Sequence, residues 1–138
     1  AVLGFAFKAD TNDTRESPAI RICLDLIEEG AQLAIYDPKV CSAQIAADLG
    51  QAEAGQEQIP TPPGQGEGRW QLASSAGEAA SGADAVLILT EWREFRQLDW
   101  TALAPSMRQP AWLFDGRAIA DTAAARAAGL KVWTVGEG

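Results

Sequence analysis

Apolar and polar positions switch repeatedly between two periods along the chain, and those switches predict its elements. The opening run Ala1-Val2-Leu3-Gly4-Phe5 is almost continuously apolar and reads as a buried strand. Ser17-Pro18-Ala19 offers an N-cap followed by Pro at the first helical position. Ile20, Cys23, Leu24 and Ile27 then recur at helical spacing, and Gly30 stops the helix. Residues 31–36 form a second strand closed by Asp37-Pro38, and 42–49 a short helix. Further on, 70–73 read as a short strand, and Ser75-Ala76-Gly77-Glu78 has capping-box spacing for a helix reaching residue 81. Ala85-Val86-Leu87-Ile88-Leu89 has the pattern of a central parallel strand covered on both faces. A helical patch within 93–104, a buried strand at 111–114, an Ala-rich helix to 128 and a last strand at 131–135 complete the chain.

Strands separated by helices imply right-handed crossovers. The expected fold is therefore α/β, a doubly wound, Rossmann-like parallel sheet in three αβα layers, with residues 1–138 as one domain. Residues 50–69 break the pattern with five Gly and three Pro, a composition that packs poorly and reads as a flexible surface loop. The 138-residue length suits one domain, and 47% hydrophobic with 22% charged residues is an ordinary globular balance. A strand that starts at residue 1 is expected of a piece cut from a longer chain. No apolar run nears the roughly 20 residues that cross a bilayer, so a soluble, cytoplasmic protein is expected, with no membrane partner.

Charge and composition narrow the chemistry. Nineteen acidic against eleven basic residues give a net charge of −8, without the basic footprint that nucleic-acid backbones require. The chain has no histidine, which removes Ser-His-Asp triads, Cys-His pairs and His-ligated metals. Cys23 and Cys41 lack CxxC spacing; Cys23 sits on an apolar helix face, and no His can activate Cys41. No catalytic residue and no metal ligand is assigned.

In doubly wound sheets, ligands bind beyond the carboxyl ends of the strands, where the winding reverses. Four segments fall there: residues 7–15, Asp37-Pro38-Lys39, Thr90-Glu91-Trp92 and Asp115-Gly116-Arg117. Lys8 is one of three lysines and sits directly at a strand exit; with Arg15 and Arg117 it would put cations on one rim of an acidic protein, suiting a phosphate or pyrophosphate. Ion pairing with Asp10, Asp13, Glu16 and Asp115 accounts for the same residues, and charge alone favours it, since charged loops are generally just solvated. Gly4 fits either a ligand approach or a tight strand exit, and the loop lacks GxGxxG. Trp92, Trp100 and Trp112 fit stacking on a base or sugar, although core packing suits Trp112 better. Glu91 and Asp115 fit an acid/base pair or simple loop acceptors.

The run Gly4-Phe5-Ala6-Phe7-Lys8-Ala9-Asp10-Thr11-Asn12-Asp13-Thr14-Arg15-Glu16-Ser17 resembles the carboxy-terminal domain of the UDP-glucose/GDP-mannose dehydrogenase family. Ile35-Tyr36-Asp37-Pro38-Lys39-Val40, Thr90-Glu91-Trp92 and Phe114-Asp115-Gly116-Arg117 follow in the family's order, and residues 10–17 look closest to its UDP-glucose-oxidising members. The resemblance implies an enzyme that oxidises C6 of UDP-glucose to UDP-glucuronate with NAD⁺ through a covalent Cys intermediate. It implies that the nucleophile and the main NAD-binding surface lie in an amino-terminal domain and a central segment outside this chain, and that the full-length enzyme is a homo-oligomer. By motif, Phe7, Lys8 and Arg117 would contact the UDP-sugar, and Arg15 would reach toward NAD. This reverses the preference drawn from charge alone for Lys8 and Arg117. Neither Cys23 nor Cys41 matches the nucleophile's motif. Related GDP-mannose or UDP-N-acetylhexosamine dehydrogenases, and a non-catalytic nucleotide-binding module, remain as alternatives.

Overall fold

The computed structural model describes residues 1–54 and 68–136. Six strands form one sheet in the order β3-β2-β1-β4-β5-β6, all neighbours parallel. They are β1 (Val2–Leu3), β2 (Gln32–Tyr36), β3 (Arg69–Leu72), β4 (Ala85–Ile88), β5 (Trp112–Asp115) and β6 (Lys131–Thr134). Between them run α1 (Pro18–Glu28), α2 (Ser42–Leu49), α3 (Ala76–Ala80), α4 (Trp100–Leu103) and α5 (Thr122–Ala127), with 3₁₀ turns over Arg93–Gln97 and Ala104–Ser106. This is the doubly wound order, with its reversal between β1 and β4.

The capping signals work as their chemistry demands. Ser17 Oγ accepts the Ala19 N–H at 3.3 Å, and Pro18 occupies the first turn of α1, where no N–H is missed. Ser75 Oγ accepts the Glu78 N–H at 3.0 Å, while the Glu78 carboxylate turns back to the Ser74 N–H at 2.9 Å. The capping box therefore closes one residue early. Cys23 and Ile27 face the core from α1, Ile45 and Leu49 from α2, and Trp70 and Phe95 are fully enclosed.

Three expectations need correction. The first strand is only two residues long, because Gly4 takes φ 95° and turns the chain onto the rim. Only Gly fits there, since a Cβ would collide with the Thr90 side chain. The close approach is thus by Thr90. Second, β5 is not covered on both faces, and β4 is covered only in part on one of them. By register Leu87, Phe114 and Trp133 share one side, and Phe114 and Trp133 are 37% and 46% exposed. Val86, Ile88 and Leu113 on the other side are fully buried. Trp112 consequently lies half-buried on the open side, stacked on Phe114 at 5.4 Å under the Lys131 ammonium rather than in the core. Third, the proposed 50–69 loop is narrower than its composition suggested: Arg69 belongs to β3, and Ala54 N–H and Trp70 Nε1–H bond across from one flank to the other, to Trp70 and Gln51 carbonyls. Its middle, 55–67, lies outside the described residues.

Candidate functional site

The winding reversal opens a crevice beyond β1 and β4, and three connections meet there: residues 4–17 after β1, 89–92 after β4 and 116–121 after β5. The first of these is clamped by side chains from its neighbours. Asp37, at the exit of β2, accepts the N–H groups of Phe5 at 2.8 Å and Ala6 at 2.9 Å through Oδ2. The same oxygen takes Trp92 Nε1–H at 3.1 Å, and Oδ1 takes the N–H groups of Lys39 and Val40. Ser17 Oγ donates to the Phe5 carbonyl and Thr90 Oγ1 to that of Ala6, each at 2.8 Å. Arg117 Nη2 donates to the Phe7 carbonyl at 2.9 Å, and Glu91 Oε1 accepts the Ala9 N–H at 2.7 Å. Such ties explain how Asp10 and Glu16 can hold φ of 66° and 60°, which L-residues rarely adopt.

Phe7, Lys8 and Arg117 come together on this frame. Phe7 is 43% exposed while its N–H and C=O are bonded to the Asp13 carbonyl and Arg117. Lys8, next along, is exposed. Arg117 is anchored by Nε to the Leu89 carbonyl at 3.0 Å and lies 3.4 Å from Glu91 Oε2. Arg15 stands apart from these three. Its guanidinium grips Asp13 through Nε and Nη2, at 3.0 and 2.8 Å, and its side chain is 88% exposed. That grip holds the Asp13 carboxyl down at about 2, chiefly through the Arg15 side-chain bond.

The ion-pair expectation is thereby divided. Asp13 pairs with Arg15 as anticipated, but Arg117 pairs with Glu91, and Asp115 instead accepts the backbone N–H groups of Arg117, Ile119 and Ala120. Glu91 and Asp115 thus serve as acceptors for loop N–H groups, the second of the two readings their position allowed. Trp92 and Trp100 are buried structural residues, so neither presents a face for stacking. Burial pushes the Cys23 thiol up to about 12 and makes it a poor nucleophile, whereas Cys41 is exposed. Among the described residues no group of three or more His, Cys, Asp or Glu could hold a metal ion, and no helix is long and apolar enough to cross a membrane.

Residue reasoning from the sequence missed the clamping roles of Asp37 and Thr90. Asp37 carried a local signal, an Asp two residues before the N–H it captures. Its bonds to Phe5, Ala6 and Trp92 span the sheet and leave no such trace. Two clefts of about 280 and 440 Å³ open near Ala1 and Leu33, at the amino ends of the strands, and neither touches the rim residues. What the rim itself offers is the exposed Lys8, the anchored Arg117, an exposed Phe7 and a fixed backbone, which suits an anionic ligand bearing a flat or apolar group.

Comparison with known proteins bears on that ligand. Residues 1–122 match the UDP-glucose/GDP-mannose dehydrogenase family, UDP binding domain. The chain is 41% identical to UDP-glucose 6-dehydrogenase 1 of Arabidopsis thaliana over 99% of its own length and 29% of that protein. It is 43% identical to UDP-glucose 6-dehydrogenase 1 of Oryza sativa subsp. japonica, with the same coverage. It therefore spans about 29% of the length of these curated relatives. Among solved structures, a UDP-D-ManNAc dehydrogenase from Pyrococcus horikoshii superposes with TM-score 0.67 at 26% identity, over 97% of this chain and 24% of that one.

Proposed function

The chain belongs to the UDP-glucose/GDP-mannose dehydrogenase family, as its UDP binding domain, and from that premise we propose that it holds UDP-glucose for an NAD-dependent UDP-glucose 6-dehydrogenase. The observation that carries this reading is the interlock at the winding reversal, where Arg117 bonds the Phe7 carbonyl and leaves Lys8 exposed beside it. In this reading Lys8 and Arg117 supply charge-assisted bonds to the diphosphate and sugar, and Phe7 presents its ring and backbone at the mouth of the cleft. Arg15, held outward by Asp13, reaches toward NAD bound mainly by the enzyme's amino-terminal domain. NAD⁺ supplies the hydride acceptor for oxidation at C6 of the sugar. The nucleophilic Cys also lies in the rest of the enzyme, since Cys23 is buried and Cys41 has no basic partner of the His type, so this chain alone binds without oxidising. Two free thiols fit a reducing cytoplasm, and the full-length enzyme acts as a homo-oligomer. Identity of 41–43% to UDP-glucose 6-dehydrogenases, against 26% to the UDP-D-ManNAc enzyme, favours glucose over an N-acetyl sugar.

Calorimetric or NMR titration of the 138-residue chain with UDP-glucose tests this reading. Lys8→Ala should cost about 1–3 kcal/mol of binding, and Arg117→Ala at least as much, because it also frees the Phe7 carbonyl. Unchanged affinity in both variants, with folding intact, would remove these residues from the site. GDP-mannose binding better than UDP-glucose would move the chain to another branch of the family.

A further inference from the structure

We infer that Glu91 is the positioning residue of this site, one carboxylate that fixes both ligand-bearing loops at once. The inference rests on the UDP reading above. Glu91 Oε1 accepts the N–H of Ala9, immediately after Lys8, and Oε2 stands 3.4 Å from Arg117 Nε. Its neighbour Thr90 is fully buried and bonded to the Ala6 carbonyl, so the backbone that carries Glu91 is itself fixed. Arg117 in turn is bonded to the carbonyls of Leu89 and Phe7. The carboxylate therefore sits between the backbone that sets Lys8 and the guanidinium that sets Phe7.

Two effects of this carboxylate oppose each other. As a bare negative charge it repels a diphosphate, and its removal should tighten UDP binding. As a brace it keeps the loop in its competent shape, and its removal should weaken binding by the fraction of time that shape is lost. The charge is largely spent, because it faces the Arg117 cation at a half-exposed position where solvent screens what remains. The brace matters more, because the loop contains two left-handed L-residues, Asp10 and Glu16, and needs external ties to keep them. The sign of the affinity change decides between the two effects.

The test compares UDP binding by the 138-residue chain and by its Lys8→Ala, Glu91→Gln and Glu91→Ala variants, with thermal midpoints measured alongside. Gln keeps an oxygen for the Ala9 N–H but turns an NH₂, not an acceptor, toward Arg117 Nε, so binding should weaken by about threefold in E91Q and about tenfold in E91A, as the competent fraction falls. The Arg117 Nε–H resonance, recorded without UDP, should shift in both variants; a variant that is merely less stable would leave it in place in the folded fraction. Unchanged or tighter binding in E91A while Lys8→Ala still weakens it overturns the role of Glu91 and leaves the UDP site standing. No UDP binding by the unaltered chain, or none lost in Lys8→Ala, overturns the UDP reading and this inference with it.

Discussion

Asp37→Asn is the sharpest probe of how the rim is built. The buried Asp37 carboxylate accepts five N–H groups: Oδ2 those of Phe5, Ala6 and Trp92, and Oδ1 those of Lys39 and Val40. An amide has one acceptor oxygen. Turned toward Phe5, Ala6 and Trp92, Asn would present its own NH₂ to Lys39 and Val40; turned the other way, it would orphan three donors. The lesser loss is two donors, one fully and one partly buried. At about 1–3 kcal/mol for an orphaned buried donor and less for a partly buried one, the variant should lose about 2–4 kcal/mol. That is a large share of the 5–15 kcal/mol typical of a domain, yet it leaves a folded chain. Urea unfolding followed by far-UV circular dichroism should show a lower midpoint at unchanged slope, and the thermal midpoint should fall by about 3 °C per kcal/mol. Asp121→Asn is the control, because Asp121 only caps α5 through the Ala124 N–H and Asn caps as well. A loss below about 0.5 kcal/mol at Asp37, matching the control, would refute the claim that this carboxylate holds the rim.

Three further outcomes follow from the same geometry. The Asp13 carboxyl, held down to about 2 by Arg15, should titrate near pH 2 by carbon-detected NMR. Because its folded value is depressed, its contribution to loop order is present above the ordinary carboxylate range and lost as pH falls toward 2; Arg15→Ala should raise the midpoint while the backbone N–H at position 15 still holds it below the ordinary range, and an ordinary midpoint in the unaltered chain would contradict the bidentate pair. A thiol reagent at neutral pH should label Cys41 in the native chain and spare Cys23, whose thiol is buried and raised to about 12, until unfolding releases it; equal native rates would refute the packing of α1. Finally, Trp70→Ala should cost about 3–5 kcal/mol and Trp133→Ala about 1 kcal/mol or less, because the first is fully enclosed and the second is 46% exposed; similar losses would mean the open face of β6 is covered.

Most of the architecture was legible because it is written locally. The Ser17-Pro18 start of α1, the Gly30 stop and the apolar runs of β4 and β5 each depend on neighbours within a few residues. Phe7, Lys8, Arg15 and Arg117 could be named from motif and strand-exit position alone. What stayed hidden depends on residues far apart in sequence. The uncovered side of Trp112 follows from which face the helices leave open, and the alternation in β5 is the same whichever face is covered. The clamps made by Asp37 on Phe5 and by Thr90 on Ala6 join positions 32 and 84 residues apart, and no periodicity records such a pairing.

The same clamps bear on how a chain of net charge −8 would hold the anionic ligand proposed for it. A free carboxylate at the rim would oppose a diphosphate at short range, where solvent screens least. Four of the rim carboxylates are not free, while Asp10 and Glu16 are exposed. Asp37 and Asp115 are filled by backbone N–H groups, Asp13 by the Arg15 guanidinium, and Glu91 by Ala9 and Arg117. Each gives its negative charge to fixing the backbone, and the N–H dipoles and guanidinium groups facing it offset that charge locally. On the cationic side Lys8 is placed by its neighbours yet left exposed, as is Lys39. Acidic residues thus do much of the structural work on this rim, and the proposed reading puts the nucleotide at Lys8 and Arg117, the second already held by Glu91.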